Sequence, residues 1–540
     1  MSAGQNEYDG IILGTGHNAL VLQAYLSRCG LRTLSVDRAE VPGGGLSTIE
    51  NPAVPGVHHN PHSFFHRSIT SMPWYRDLEL ESYGVRYIEP ELNVAMLLKD
   101  GRSLQWWTDP EQTIESFSNF SKRDANSLRR WMEEFAPIVE NILVPESQCP
   151  PLETGLRRTL LEQSKQGRRL LTVSELSPLE FVTREFEHDA VRAGMLFFNG
   201  LREVDLRLKG FGHAIPSLLA SKGKAQMCVG GSSKLAEGLV TDIEKHGGEI
   251  LCSVEIDQIL TERGKASGIL LTNGETIRAN GFIASGLNPQ QTFLEFLPES
   301  ATSEDLRRRA GSFEYNLLAP LFGLHLALKE APEYSASQTS PELGDAFMLI
   351  LGLEKFEQFH EIVSAHEKGR IPSPVSWGTS PTCFDPSQAS KDLHTAFMWE
   401  KLPYRLSGDP KNWVAEREKI GNRILEHWRK YAPNLSGDNI LNHFSLSPLD
   451  TEITLPNMAG GDLLVGAFSN NQIGSNRPFA GAGTYRTPVE GLYLCGGSTH
   501  PGGNITGLCG FNAASVIAAD CNRMIWWERP DIETALSSID

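Results

Sequence analysis

The chain has no long apolar run, no cluster of basic residues and no closely spaced pair of cysteines, and each absence removes a class of function. Its longest apolar stretch, Ala346 to Leu353, is far too short to span a bilayer. The opening Met1-Ser2-Ala3-Gly4-Gln5-Asn6-Glu7 lacks the basic and apolar regions of an export signal, so a cytoplasmic location is expected. With 49 lysines and arginines against 66 aspartates and glutamates, the formal net charge is −17. No local basic run offsets it, which argues against nucleic acid as a partner and against anionic lipid. The eight cysteines (29, 149, 228, 252, 383, 495, 509 and 521) are scattered, with no C-x-x-C and no zinc spacing, and read as reduced thiols. What remains is length and apolar mass: 540 residues, 40% of them hydrophobic, enough for two or three packed domains.

The first forty residues organise the rest. An apolar strand ends at Leu13, a turn carries Gly14-Thr15-Gly16-His17-Asn18-Ala19, a helix is expected from about Asn18 to Cys29, and a second strand ends on Asp37. In such a βαβ unit the first glycine permits the sharp turn, the second lets the backbone approach a pyrophosphate, and a small third residue keeps helix and strand close. The helix N-terminus offers free N–H groups to the phosphates. Asp37, 23 residues after Gly14, stands where a carboxylate can accept both ribose hydroxyls of an adenosine. Arg38 beside it does not make the site one for a 2′-phosphate, because Asp37 would repel that group. FAD or NAD remain.

A second glycine run, Gly43-Gly44-Gly45-Leu46-Ser47, begins six residues after Asp37. Glycines without side chains can lie against a flat ring or more of the pyrophosphate. The spacing resembles the loop after the first strand pair of glutathione-reductase-type flavoproteins, and this likeness selects FAD. Beyond it, Val57 to His66 holds four histidines. A metal site would need convergent geometry that the prolines and Asn60 do not suggest, so no metal is expected; His62 or His66 could instead line a pocket.

From Trp74 to Ala225 the pattern is helical. Asp109-Pro110 and Ser177-Pro178 mark helix starts, and Leu128, Trp131, Met132, Phe135, Val139, Ile142 and Leu143 fall on one helical stripe kinked at Pro137, which reads as core. Dinucleotide character returns at Val229-Gly230-Gly231-Ser232-Ser233, which opens a helix ending near His246-Gly247, and strands follow to Ser285 as the returning half of the first domain, with Ile256 backbone atoms beside the adenine. Leu321 to Leu328 alternates as a half-covered strand, leaving His325 on a cavity or in solvent. The last motif is an apolar strand to Cys495, then Gly496-Gly497-Ser498-Thr499-His500-Pro501-Gly502-Gly503-Asn504-Ile505, with a helix expected from about Asn504 past Cys521. The positive end of that helix would face the flavin N1–C2=O region. A covalent flavin link through Cys495 or Cys509 is conceivable, although buried packing is favoured. Trp526-Trp527 suits either lipid contact or packing against the domain or a second subunit; the acidic charge favours packing, and self-association stays open.

Together, Gly14-x-Gly16-His17-Asn18-Ala19, Asp37 with Gly43-Gly44, Gly230-Gly231-Ser232 with Leu235, Asp385-Pro386, Gln472 with Arg477-Pro478, and Cys495-Gly-Gly-x-x-His500-Pro501-Gly502-Gly503 resemble the phytoene-desaturase-like FAD oxidoreductases. The likeness is greatest to the branch of the pyridine-nucleotide-disulphide-oxidoreductase-domain proteins. It implies an α/β fold with a discontinuous Rossmann-like FAD-binding domain of the glutathione-reductase/amine-oxidase type (residues 1–70, 226–300 and 457–540) and an inserted α+β substrate domain (71–225 and 301–456). It also implies hydride transfer from a C–H bond of an organic substrate, lipophilic compounds included, to flavin N5. Gly45, where carotenoid desaturases commonly carry arginine, counts against a carotenoid, and Ala19 in place of the third glycine is tolerated in FAD sites. His500 and His62 are the expected proton-handling residues; Gly496, Gly497, Gly503, Asn504 and Ile505 join the N-terminal motifs as expected FAD contacts. Two other functions stay open: a flavin-dependent double-bond isomerase without net redox, and a flavin-free binding protein of the GDP-dissociation-inhibitor type.

Overall fold

A computed structural model describes residues 7–199 and 204–539. Its first sheet has the strand order Glu249–Leu251, Thr33–Val36, Glu7–Leu13, Thr276–Ser285, Lys265–Leu271, Ile256–Glu262. Strand Glu7–Leu13 runs parallel to both of its neighbours, Thr33–Val36 and Thr276–Ser285. The long strand Thr276–Ser285 changes partners along its length. Its first residues close an antiparallel meander, while Ile283, Ala284 and Ser285 pair in parallel with Leu492, Tyr493 and Leu494 near the chain's far end. The near-continuous burial of Ile11 to Leu13 is that of a parallel strand covered on both faces.

Helix His17–Arg28 crosses over this sheet and is buried from Asn18 to Ser27, on every side. Its cover is helix Leu508–Asp520, itself buried from Leu508 to Ala518. The two approach backbone to backbone, because a Cβ at Gly510 would fall on the carbonyl of Asn18. The covering helix starts at Leu508, later than the motif suggests, and ends at Asp520. Asn504 to Thr506 are loop, and Gly507, in the left-handed region at φ 66°, caps the first turn.

The second sheet has the order Ile440–Leu446, Leu321–Leu328, His394–Lys401, Ser376–Thr379, Met348–Leu351, Leu92–Leu97, Ser103–Trp107. Met348–Leu351 and Leu92–Leu97 pair in parallel, joining early and late segments of the chain in one sheet. Leu321–Leu328 is buried on both faces, not half-covered. His325 is therefore not in solvent and lines neither of the two large cavities: it is fully buried, stacked on Phe444 and edge-on to His59, with both ring nitrogens unpartnered among the described residues.

Helices from Pro110 to Ala220 cover one face of this sheet. Both expected starts are there, Asp109 and Ser177 accepting from backbone N–H groups of the first turn. Helix Lys122–Ile138 continues through Pro137 into a π-helical turn, Val139–Leu143. Such a wider turn rotates the residues after it about the helix axis. Leu128, Trp131, Phe135 and Ile142 are core as expected, whereas Val139 and Leu143 are turned toward a cavity. Trp526 stacks on Tyr25 and Trp527 meets it edge-on, so the tryptophan pair packs against the first helix. No helix among the described residues is long and apolar enough to cross a membrane.

Candidate functional site

Two cavities meet at the junction of the sheets. The smaller, about 430 Å³, lies at the C-terminal ends of the parallel strands. Its wall includes Gly14, Gly16, His17, Asn18 and Ala19, then Asp37 and Arg38, then Gly44, Gly45 and Ile256, and on the far side Gly496, Gly497, Gly503, Asn504 and Ile505. Local geometry explains the glycines. Gly14 has φ 91° and donates its N–H to Val36 O at 2.8 Å, closing the strand-to-helix turn. Gly16 is extended, and a Cβ built on it meets no atom within 4 Å. Gly44, at φ 56°, would bring a Cβ to 3.2 Å from the Gly16 Cα, so the two glycine loops lie backbone against backbone.

Helix His17–Arg28 begins with no side-chain cap and no acid in its first turn. The buried Asn18 Oδ1, an acceptor without a partner among the described residues, calls for a donor and not for phosphate. The uncapped first turn and the absence of an acid leave the helix's first N–H groups for an anion. These features fit a dinucleotide pyrophosphate. Asp37 Oδ2 accepts from the Thr15 N–H and hydroxyl, both at 2.7 Å, and Oδ1 accepts from Ala39 N–H at 2.9 Å. Of the roughly four lone-pair sites of a carboxylate, these bonds leave about one, room for a single direct ribose hydroxyl.

Three expected contacts lie off this wall. Gly43, at φ 129°, donates to Thr15 O and holds the second loop against the first. Leu46 is buried in the core beneath the helix, and the Ser47 hydroxyl is buried without a partner among the described residues. They shape the loop from behind, since the chain turns inward after Gly45. Gly230-Gly231-Ser232 likewise meets protein, not phosphate. Gly230 N–H donates to Asp385 Oδ2 at 2.6 Å, Ser232 N–H donates to Asn60 Oδ1 at 2.8 Å, and Gln388 joins Asn60 to Asp385. The Asp385-Pro386 motif is the other half of this clamp.

Several wall residues carried no signal in sequence. Val254, Glu255, Gln291 and the stretch 454–458 also line the smaller cavity.

The larger cavity, about 780 Å³, lies between the second sheet and the kinked helix. Phe64, Leu143, Met348, Trp377, Trp399 and Phe468 form part of an apolar lining, and Arg67, Glu140, Lys222 and Lys401 add charge. His62, Leu463, Gly503, Asn504 and Ile505 line both cavities. His62 makes no hydrogen bond among the described residues, and burial pushes its imidazole down to about 4, so it is neutral near pH 7. His213, unforeseen in sequence, also lines the larger cavity and bonds Ser174 Oγ at 2.9 Å.

His500 lines neither cavity. Its Nε2 bonds the Glu146 carbonyl at 2.8 Å and its own carbonyl accepts from the Tyr485 hydroxyl, which makes it a tie between the C-terminal loop and the short helix that continues the π-helical turn. His17 does similar work, bonding Asn504 O at 2.9 Å and joining the two loops that face each other across the cleft. His66 bonds Ser63 and Tyr87, and His59 bonds Asn51 and Thr395, so both rings are spent on packing. No three His, Cys, Asp or Glu among the described residues converge as metal ligands. Cys495 and Cys509 are fully buried and line neither cavity, which places neither thiol at a ligand.

No family model matches the chain. It is 29% identical to a limonene dehydrogenase subunit of Castellaniella defragrans over 97% of its own length and 96% of the relative's. To pyridine nucleotide-disulfide oxidoreductase domain-containing protein 2 of Rattus norvegicus it is 26% identical, over 96% and 94% of the two chains. Phytoene desaturases match as well. Among solved structures, cyclohexylamine oxidase from Brevibacterium oxydans superposes with a TM-score of 0.59 at 16% identity, covering 96% of this chain and all of that one, which shows a shared fold. The likeness to the phytoene-desaturase-like oxidoreductases thus extends along nearly the whole chain, and the protein is an enzyme of the oxidoreductase class.

Proposed function

We propose that this oxidoreductase, similar along its length to the phytoene-desaturase-like enzymes, binds FAD in the smaller cavity and oxidises a lipophilic organic molecule held in the larger one. The observation that supports the reading is the shared wall: His62, Leu463 and residues 503–505 border both spaces, so the two cavities adjoin there. FAD, when bound, supplies at N5 the acceptor for a hydride leaving a substrate C–H bond. Everything else is the chain's work. Gly14, Gly16 and the first turn of helix His17–Arg28 hold the pyrophosphate, and Asp37 holds the ribose. Among the described residues, stretches within 62–72, 136–148, 204–225 and the second sheet enclose the substrate and exclude water, with residues of 463–468 and 501–508 closing it, while 454–458 serve the cofactor side.

A substrate that gains a double bond loses a proton as well as a hydride. His62 is placed to take it, being neutral, at the junction and without another hydrogen bond among the described residues. A volume of about 780 Å³ lies within the usual range for an organic ligand, and the aromatic and aliphatic lining favours an apolar one. Limonene, from the name of one relative, is the first compound to try.

The test is to purify the protein, record its visible spectrum before and after heat denaturation, and assay the released material for FAD. Limonene, longer isoprenoid hydrocarbons and amines are then added anaerobically. Flavin bands, released FAD and bleaching by an apolar compound that loses two hydrogens are expected. A colourless protein that cannot be reconstituted with FAD refutes the reading, and a product of unchanged mass replaces it with the isomerase.

A further inference from the structure

Arg477 is wholly buried and spends its donors on backbone. Its Nη2 donates to the carbonyls of Gly497, Gly466 and Val465 at 3.1, 3.2 and 3.3 Å. Its Nη1 reaches Ala467 and Gln472 at 2.9 and 3.3 Å, and Nε reaches Thr499 at 3.2 Å. The guanidinium carbon sits 4.3 Å over the Phe468 ring. No carboxylate among the described residues pairs with it directly. Electrostatically it couples to the buried Cys509 thiol first and then to Asp462. Asp462 is also wholly buried; burial raises its carboxyl, while three accepted N–H groups, from Asn316, Leu464 and Gly466 at 2.8 to 2.9 Å, favour its charged form. Burial lowers the guanidinium to about 10, which still leaves it charged near neutrality.

The position of this cation decides its use. Gly497 and Val465 form wall of the smaller cavity, and Phe468 forms wall of the larger. One residue layer therefore separates the charge from each space. Neutral hydrogen-bond donors could tie these loops together without the cost of burying a charge, so the charge calls for its own account. We propose that Arg477 is an electrostatic positioning residue: it holds the two loops behind the junction and its charge favours the reduced, more negative form of the cofactor. Asp462 opposes that field and trims it. The inference rests on FAD occupying the smaller cavity. A unit charge one residue layer from a charge-forming group in a protein interior shifts that equilibrium by roughly tenfold, or about 30 mV for a two-electron couple.

The test uses the full chain and the variants R477Q, R477K and D462N. FAD affinity is measured by fluorescence titration and the two-electron potential by equilibration with redox dyes. R477Q is expected to lower the potential by a tenfold weaker preference for reduced flavin, R477K to stay within about threefold of the parent, and D462N to raise it. An unchanged potential in R477Q or D462N, or a fall in R477K equal to that in R477Q, overturns the inference. If R477Q does not fold, the sign of the D462N shift decides. A parent chain that takes up no FAD refutes the cofactor reading and this one with it; a flavin-bearing parent with an unmoved D462N potential refutes this one alone.

Discussion

Replacing Gly16 by alanine should separate binding from folding. Gly16 is extended, with φ −63° and ψ 161°, a conformation open to alanine, and the added methyl would meet no protein atom within 4 Å. The folded chain bears no strain, while the unfolded chain loses freedom, so the cofactor-free protein should be unchanged or more stable by about 0.4–1 kcal/mol. The methyl projects instead into the space a pyrophosphate must approach. Pushing the phosphate away from one helix N–H forfeits a charge-assisted hydrogen bond worth about 1.5–3 kcal/mol, a loss of roughly 10- to 150-fold in FAD affinity. Gly14, at φ 91°, is the control, because alanine there is strained whether or not ligand is present. Thermal denaturation of the cofactor-free proteins and fluorescence titration with FAD supply the two readouts. Unaltered affinity in G16A, or a cofactor-free G16A destabilised as much as G14A, would refute the placement of the pyrophosphate.

Three further outcomes are expected. H62Q should leave FAD affinity and folding nearly intact and slow anaerobic flavin reduction by about 10²–10⁴, as loss of a proton acceptor does; reduction at the parent rate would remove His62 from the chemistry. D385A should strand the Gly230 N–H and the Gln388 amide in a buried clamp and cost about 2–4 kcal/mol, read from denaturant midpoints; a change below about 0.5 kcal/mol contradicts the clamp. The buried histidines set the acid limit. Burial pushes His17 and His500 down to about 4 and His59 and His66 to about 3. These rings stay neutral in the fold while the unfolded chain takes up protons near 6.5. Stability should hold above that pH and fall by up to about 1.4 kcal/mol per pH unit per histidine as the pH drops toward 4. Melts at pH 7 and pH 5 check the sign, and equal midpoints would contradict it.

Much of the wall of the smaller cavity was legible in the first forty residues, because its geometry is local. Gly14, Gly16 and Ala19 act through the turn they sit in, and Asp37 follows at the end of the next strand, so spacing along the chain stands in for distance in space. The same logic failed where a motif meets a distant segment. Gly230-Gly231-Ser232 has the composition of a phosphate loop, yet two of its N–H groups are taken by Asp385 and Asn60. His500 sits in the most specific motif of the chain, and Glu146, from a helix more than three hundred residues earlier, takes its ring.

The sequence by itself determined the periodicity of each element, the glycines a tight turn demands and the acid at the end of the second strand, all of which follow from neighbours a few bonds apart. Only the tertiary structure decided which histidine borders a cavity, which glycine meets protein and which meets open space, and that Arg477 stands behind both walls. Those outcomes depend on segments brought together by folding. Residue 62 faces the junction because residues 463 and 503–505 close it from the other end of the chain. Burial then keeps that histidine neutral, since a charge there would lose the water that stabilises it.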